Sequence, residues 1–217
     1  MPEISHTTSL TKRGLFLVAE GPDYVGKTTL ANSLLLQWPK QFPGRAVVKL
    51  REPGSTKLGE KLRSLLLDKD GEGRPDAATE LCLFCASRCD MVKRKLEPML
   101  ASGIDVILDR YWPTTLVYQA VDVCNDQNGG LNLITYLARR FHWPKPDVWV
   151  FGSAKPETLE ARQQSREETN KLDPVDDETR RARLRNYLYL RGAIVQECFG
   201  KSVVDFEAEE PITTVMA

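Results

Sequence analysis

Residues 21–29 read GPDYVGKTT, and the fold turns on how this stretch is read. Gly21, Gly26, Lys27 and Thr28 satisfy the pattern G-x-x-x-x-G-K-[ST], in which glycine conformations let backbone N–H groups converge on phosphate oxygens. The lysine reaches the outer phosphates and the hydroxyl can ligate a divalent cation. The pattern carries meaning only between a strand and a helix, and both are predicted here. Gly14–Glu20 (GLFLVAE) is a short apolar run suited to a buried parallel strand. From Lys27 to Trp38 leucines and an alanine recur at helical spacing, and Pro39 is expected to end the run. The start of that helix adds positive potential beside the loop. Gly21, Gly26, Lys27, Thr28 and Thr29 are therefore the candidate triphosphate-binding residues.

Outward from the loop, four more strands are predicted: Arg45–Leu50, Ile104–Asp109, Asp147–Phe151 and Ser202–Phe206. Helical patterns lie between them at Thr56–Leu67, from an Asp76 cap to about Ala101, at Thr114–Val123, at Leu131–Phe141, and over 156–166 and 176–198. NDQNGG (125–130) reads as a turn. Short strands alternating with longer helices indicate an α/β chain: a parallel sheet covered on both faces, with ligands bound beyond the carboxyl ends of its strands. A chain of 217 residues is most simply one domain, with a core over 14–206 and flexible tails over 1–12 and 207–217.

Composition narrows the partners. Lysine plus arginine and aspartate plus glutamate are equal at 30 each, which argues against a duplex nucleic-acid or membrane-surface binder. The N-terminal MPEISHTTSLTK lacks the apolar core of a secretory signal, and no apolar run approaches the roughly 18 residues that span a bilayer. Five cysteines, with Cys82, Cys85 and Cys89 on adjoining helical positions and no clustered histidine, read as small apolar residues of a reduced, cytoplasmic protein.

Three further stretches face the same crevice. Asp109, ending the third strand, can organise Mg²⁺ together with Thr28. Arg51, ending the second, can grip a phosphate with two parallel hydrogen bonds. Phe84 and Arg88 are four apart on one helix face, an aromatic ring and a guanidinium able to stack on and hydrogen-bond a nucleobase.

These residues together amount to a resemblance. EGPDYVGKTT, REPGST, LFCASRCD followed by LDRYWPTTLVYQA, then PKPDVWVF and KLDPVDDE, stand in an order and spacing similar to the thymidylate kinase family, over about Gly14 to Phe206. The resemblance implies a P-loop NTPase three-layer α/β/α sandwich with strand order 2-3-1-4-5. It implies transfer of the ATP γ-phosphoryl to dTMP with Mg²⁺, in a homodimer, with no nucleic-acid or membrane partner. Asp23 would bind the deoxyribose 3′-hydroxyl, and Arg51 and Arg110 the acceptor phosphate. Phe84 would stack on the pyrimidine and Arg88 would bond its exocyclic oxygen. Thr114, Tyr118 and Gln119 would close the nucleoside side. A lid over the ATP phosphates would fall at about 162–174, and Lys27, Arg110, Arg162 and Arg166 would supply catalytic charge.

The sequence also departs from that pattern. Tyr24 stands where some members carry a loop arginine, which directs the search for charge to Arg162 and Arg166. Asp173-Pro174 replaces the usual Asp-Arg, Gly152-Ser153 an aspartate after the fourth strand, Ser55 a glycine, and Thr114 a serine. Two other readings remain at this stage. One keeps the fold with dUMP, a 5-modified deoxyuridine monophosphate or a deoxynucleoside as acceptor. The other is a nucleotide-binding regulator without turnover.

Overall fold

The computed structural model describes residues 13–67, 75–165, 176–197 and 202–209. Five strands form one parallel sheet: β1 (Phe16–Glu20), β2 (Val47–Arg51), β3 (Asp105–Asp109), β4 (Val148–Ser153) and β5 (Ser202–Glu207). Their order is β2-β3-β1-β4-β5, as the family resemblance implied. The central strands β1 and β3 are buried at every residue, whereas the edge strands β2 and β5 are half exposed. That is why FLVAE and DVILD read as short apolar runs rather than as alternating patterns.

Alternate side chains of the sheet enter two cores. Phe16, Val18, Leu108, Trp149 and Phe151 face one side. Leu17, Ile107, Val150 and Phe206 face the other, packing with Leu30 and Trp38 of α1 (Lys27–Gln41). Two apolar faces, each covered by helices, give the three layers.

The helices follow in order: α2 (Lys57–Leu67), α3 (Ala77–Met91), α4 (Glu97–Ala101), α5 (Trp112–Thr115), α6 (Val121–Cys124), α7 (Gln127–Arg140), α8 (Pro156–Gln164) and α9 (Asp177–Glu197). A π-helical turn at Val92–Leu96 joins α3 to α4, and another at Leu116–Ala120 joins α5 to α6. The Asp76 cap is present: its Oδ1 accepts the backbone N–H of Ala78 at 2.9 Å and of Thr79 at 3.1 Å.

Three local expectations are corrected. Helix α1 runs through Pro39 to Gln41, because a proline in the last turn costs one hydrogen bond and Phe42 N–H still closes on Trp38 O at 2.8 Å. Helix α7 begins inside the expected turn, since Asp126 accepts the N–H of Gly129 at 2.7 Å and so caps a helix through two glycines. Residues 207–209, expected in the C-terminal tail, are ordered parts of the fold: β5 reaches Glu207, and Ala208 N–H bonds Ser153 O at 2.8 Å, while 210–217 lie outside the described residues. The N-terminal tail, 1–12, lies outside the described residues.

Strand β4 also runs past Phe151 through Gly152, where a family aspartate is absent. A Cβ on Gly152 would stand 2.5 Å from the Phe206 ring and 2.8 Å from Val25 Cγ1, so no side chain fits. Gly152→Ala is expected to lower unfolding free energy by about 1–3 kcal/mol through overpacking. A urea midpoint equal to that of the parent chain would refute this account.

Candidate active site

Register brings the chemistry to one end of the sheet. Ala19 of β1 and Arg51 of β2 both pair with Asp109 of β3, so the loop after Glu20, the Arg51 side chain and the Asp109–Arg110 pair leave the sheet side by side. The loop turns through Gly21 (φ 137°) and Gly26 (φ 104°), conformations that glycine adopts without strain, and through Tyr24 (φ 66°), a non-glycine residue in the left-handed region. Gly26 is also the residue that opens α1.

Lys27 is buried, and its ammonium donates to Pro22 O within the loop. Burial, reinforced by the Arg110 charge, lowers its pKa to about 7. A bound polyphosphate would reverse that balance by placing anions against the ammonium. Thr28 Oγ1 donates to Asp109 Oδ2 at 2.6 Å, so the two residues expected to hold a cation are in direct contact. Thr29 is exposed in the first turn of α1.

Near the lysine lies a cluster built on Arg110, itself at φ 72°. Its guanidinium donates to Asp23, to Thr114 Oγ1 at 3.1 Å and to Tyr187 OH at 3.2 Å. Asp23 also accepts from Tyr118 OH. Burial opposes ionisation of Asp23, but Arg110 and Lys27 outweigh it and hold the carboxyl below its usual value. Behind them Glu20, fully buried, accepts the N–H of Tyr111 at 2.7 Å and the Thr114 hydroxyl at 3.0 Å. Burial raises its pKa.

A cavity of about 330 Å³ opens between these groups. Asp23, Thr28, Arg51, Phe84, Asp109, Arg110, Thr114 and Tyr118 all line it, which joins residues from four separate stretches of sequence. Arg51 is held by Glu60 at 2.8 Å. Ser55 takes a backbone conformation natural to glycine (φ 67°), offset by hydrogen bonds of its hydroxyl with the Arg51 N–H at 2.8 Å and the Arg51 carbonyl at 3.0 Å. Thus the serine departure fastens the very turn that presents Arg51.

Arg88 and Gln119 are not among the lining residues. Arg88 is fully buried, with Nε on Glu52 Oε2 at 2.8 Å and Nη2 on Thr115 Oγ1 at 2.7 Å, while Nη1 has no protein partner. Gln119 Nε2 donates to Glu80 at 3.0 Å, and its Oε1 is likewise unpartnered. Sequence reasoning missed Glu52, Arg63, Glu20, Tyr187 and Arg183. Glu52 and Arg63 line the cavity, and Arg183 of α9 stands 3.9 Å from Asp23 and over the Tyr118 ring at 4.3 Å. Glu52 and Glu20 had usable signals, their places beside Arg51 in REPGST and before Gly21 in EGPDYVGKTT. The α9 residues come from a charged helix whose own pattern does not say which face meets the loop.

Burial lifts the Glu52 carboxyl to about 7, with the Arg88 charge pulling it back. A carboxyl whose folded pKa lies above its unfolded value binds its proton more tightly in the native state. Its stabilising share is therefore present below about pH 4.5 and is lost as pH rises through about 7. Glu52→Gln is expected to flatten this loss, so parent and variant stabilities should diverge steadily between those pH values in urea titrations. A difference independent of pH would contradict it.

Arg162 is in α8, and its guanidinium donates to Tyr24 O at 3.1 Å, Val25 O at 3.3 Å and Ala208 O at 2.7 Å. It thereby braces the loop through its carbonyls. Arg166 and the rest of the expected lid, 166–174, lie outside the described residues.

A parallel sheet of this order, with a glycine-rich loop after its central strand that opens a helix at Lys27, defines a P-loop NTPase fold. Sequence comparison narrows the class: the thymidylate kinase family model matches residues 19–215, and the chain belongs to that family. It is 38% identical over 165 residues to the thymidylate kinase of Synechococcus sp. (strain RCC307), covering 74% of this chain and 76% of that one. Against the thymidylate kinase of Caldanaerobacter subterraneus subsp. tengcongensis it is 33% identical over 181 residues, 82% of each chain. The crystal structure of thymidylate kinase from Ehrlichia chaffeensis superposes with a TM-score of 0.68 over 94% of both chains at 24% identity, a likeness of fold.

Proposed function

We propose that this enzyme transfers the γ-phosphoryl group of ATP to dTMP, giving ADP and dTDP. The observation that supports the reading is the convergence on one cavity of the Thr28–Asp109 pair, next to buried Lys27, and of Arg51 with the Arg110–Asp23–Tyr118 cluster. The acceptor's phosphate is largely ionised at neutral pH, its second pKa being about 6, so its oxygen attacks without a general base. What the chain must supply is alignment and cancellation of charge.

In this reading Gly21, Gly26 and Thr29 belong to the cradle of the ATP phosphates, and Lys27 neutralises charge as the phosphoryl moves. Arg51 and Arg110 hold the acceptor phosphate, and Asp23 takes the 3′-hydroxyl. Phe84 stacks on the base, and Thr114 and Tyr118 flank the sugar. Arg88 Nη1, a buried donor, and Gln119 Oε1, a buried acceptor, are each without a protein partner. They complement the acceptor oxygen and N–H donor that neighbour each other on thymine, and their assignment to the base rests on those two atoms. Arg162 keeps the loop in shape, and Arg166 is assigned to the transferred phosphoryl.

Thr28 and Asp109 suit Mg²⁺, a hard cation bound by few protein oxygens together with phosphates and water. Among the described residues no group of three or more His, Cys, Asp or Glu is placed to hold a metal ion by itself. When bound there, Mg²⁺ would offset phosphate charge. We further read the chain as a single domain acting as a cytoplasmic homodimer, without a nucleic-acid partner. No helix among the described residues is long and apolar enough to cross a membrane.

ADP release measured across a panel of nucleoside monophosphates and deoxynucleosides tests the assignment. Highest kcat/KM with dTMP is expected. Preference for dUMP or a deoxynucleoside would replace the acceptor, and no turnover with any of them would leave only nucleotide binding.

A further inference from the structure

A second cavity, of about 390 Å³, lies where α7 turns into β4, and it is no smaller than the acceptor cavity. Both volumes fall in the range of small-molecule sites. Trp112, Trp143, Pro144 and Pro146 provide an apolar floor, and Arg139, His142 and Lys145 surround it with basic groups. No carboxylate is among the described residues that line it. The backbone closes the end of α7 by itself, through Phe141 N–H on Leu137 O (2.9 Å), His142 N–H on Arg139 O (3.3 Å) and Trp143 N–H on Ala138 O (3.0 Å). The side chains of Arg139 and His142 are thus not needed to satisfy those carbonyls.

Trp143 connects this cavity to the first. Its ring is buried, and on it lies the Arg88 guanidinium, 4.7 Å from the ring centroid. Arg88 is bonded to Glu52, which lines the acceptor cavity. Tyr111 makes a parallel link, with its hydroxyl on Pro144 O at 3.1 Å and its N–H on Glu20. The indole N–H of Trp143 is buried without a protein acceptor. Buried donors of this kind are rare enough to require an account, and water or a ligand supplies one.

We propose that this cavity binds a small organic anion with an apolar body, and that its occupancy tunes acceptor binding through Trp143 and Arg88. Basic groups over an apolar floor recognise an anionic head on a hydrophobic frame. A filled cavity holds the 139–146 turn, and so holds the indole against the guanidinium. A guanidinium already ordered loses less freedom when the acceptor arrives. The coupling rests on the role of Arg88 given above; the binding site does not.

Anilinonaphthalene sulfonate, an aromatic anion whose fluorescence rises in apolar surroundings, is a suitable probe. With the whole chain saturated in ATP analogue and dTMP, it should bind saturably. The doubly reversed variant Arg139→Glu, Lys145→Glu should lose that signal while keeping its basal kcat. In the parent chain the probe should lower the KM for dTMP about fivefold and leave that for ATP unchanged, an effect absent from the variant. Saturable binding that survives charge reversal, or no saturable binding, overturns the site. Binding lost in the variant with an unmoved KM overturns the coupling alone. A chain inactive toward dTMP would sink the functional reading, yet the fluorescence arm would still report on the site.

Discussion

Lys27→Ala is expected to lower kcat by about 10³-fold, the loss found when one preorganised charge or donor is taken from a transition state. The magnitude follows from where the ammonium sits. It is buried at the opening of α1, among loop atoms that cannot reorganise to replace it. Stability should change little or rise, because burial already disfavours the charged ammonium in the empty site. The KM for dTMP should also move little, since the proposed acceptor-holding residues are Arg51 and Arg110, which line the cavity where Lys27 does not. Steady-state kinetics with thermal unfolding on the same preparation separate these effects. Turnover within tenfold of the parent would show that the loop has been misassigned.

Arg110→Ala has the second large effect, and it acts on two quantities. Acceptor kcat/KM is expected to fall by about 10²–10³-fold, because the guanidinium joins the acceptor cavity to Asp23, Thr114 and Tyr187. Stability should fall as well, by up to about 3 kcal/mol, since the mostly buried Asp23 carboxylate loses its main counter-charge. Arg110→Lys should recover much of the stability and little of the activity. A point charge can neutralise Asp23, but it cannot reach several partners in fixed directions as the planar fork does. If lysine restored both, Arg110 would be acting only through its charge. Full activity in the alanine variant would remove it from the site.

Much of the site could be read because its residues lie next to the signals that betray them. Asp23 is inside the phosphate loop, Arg51 ends β2, Arg110 directly follows β3, and Tyr118 lies in the helical segment that begins two residues later. Where a partner came from a distant element, the pattern failed. Tyr187 and Arg183 occupy a helix rich in arginine, and only docking of α9 against the loop distinguishes the ones that face Asp23. Arg88 was found by its spacing from Phe84, but its burial against Glu52 and Trp143 was not, because both partners are far off in sequence. The same holds for Gly152. Its lack of a side chain reads as a missing aspartate until Phe206 of the neighbouring strand is seen to fill the space.

The amino-acid sequence by itself determined the parallel sheet and the glycine-rich loop, and it named most of the residues that the structure brings together around the candidate site. Buried strands and loop turns impose local composition, and local composition can be read directly. Tertiary structure alone decided which charges meet. It set Arg162 against the loop carbonyls, joined Arg110 to Asp23, and placed Trp143 between two cavities. Those relations depend on distances between elements far apart in the chain, and residue type and spacing do not encode them.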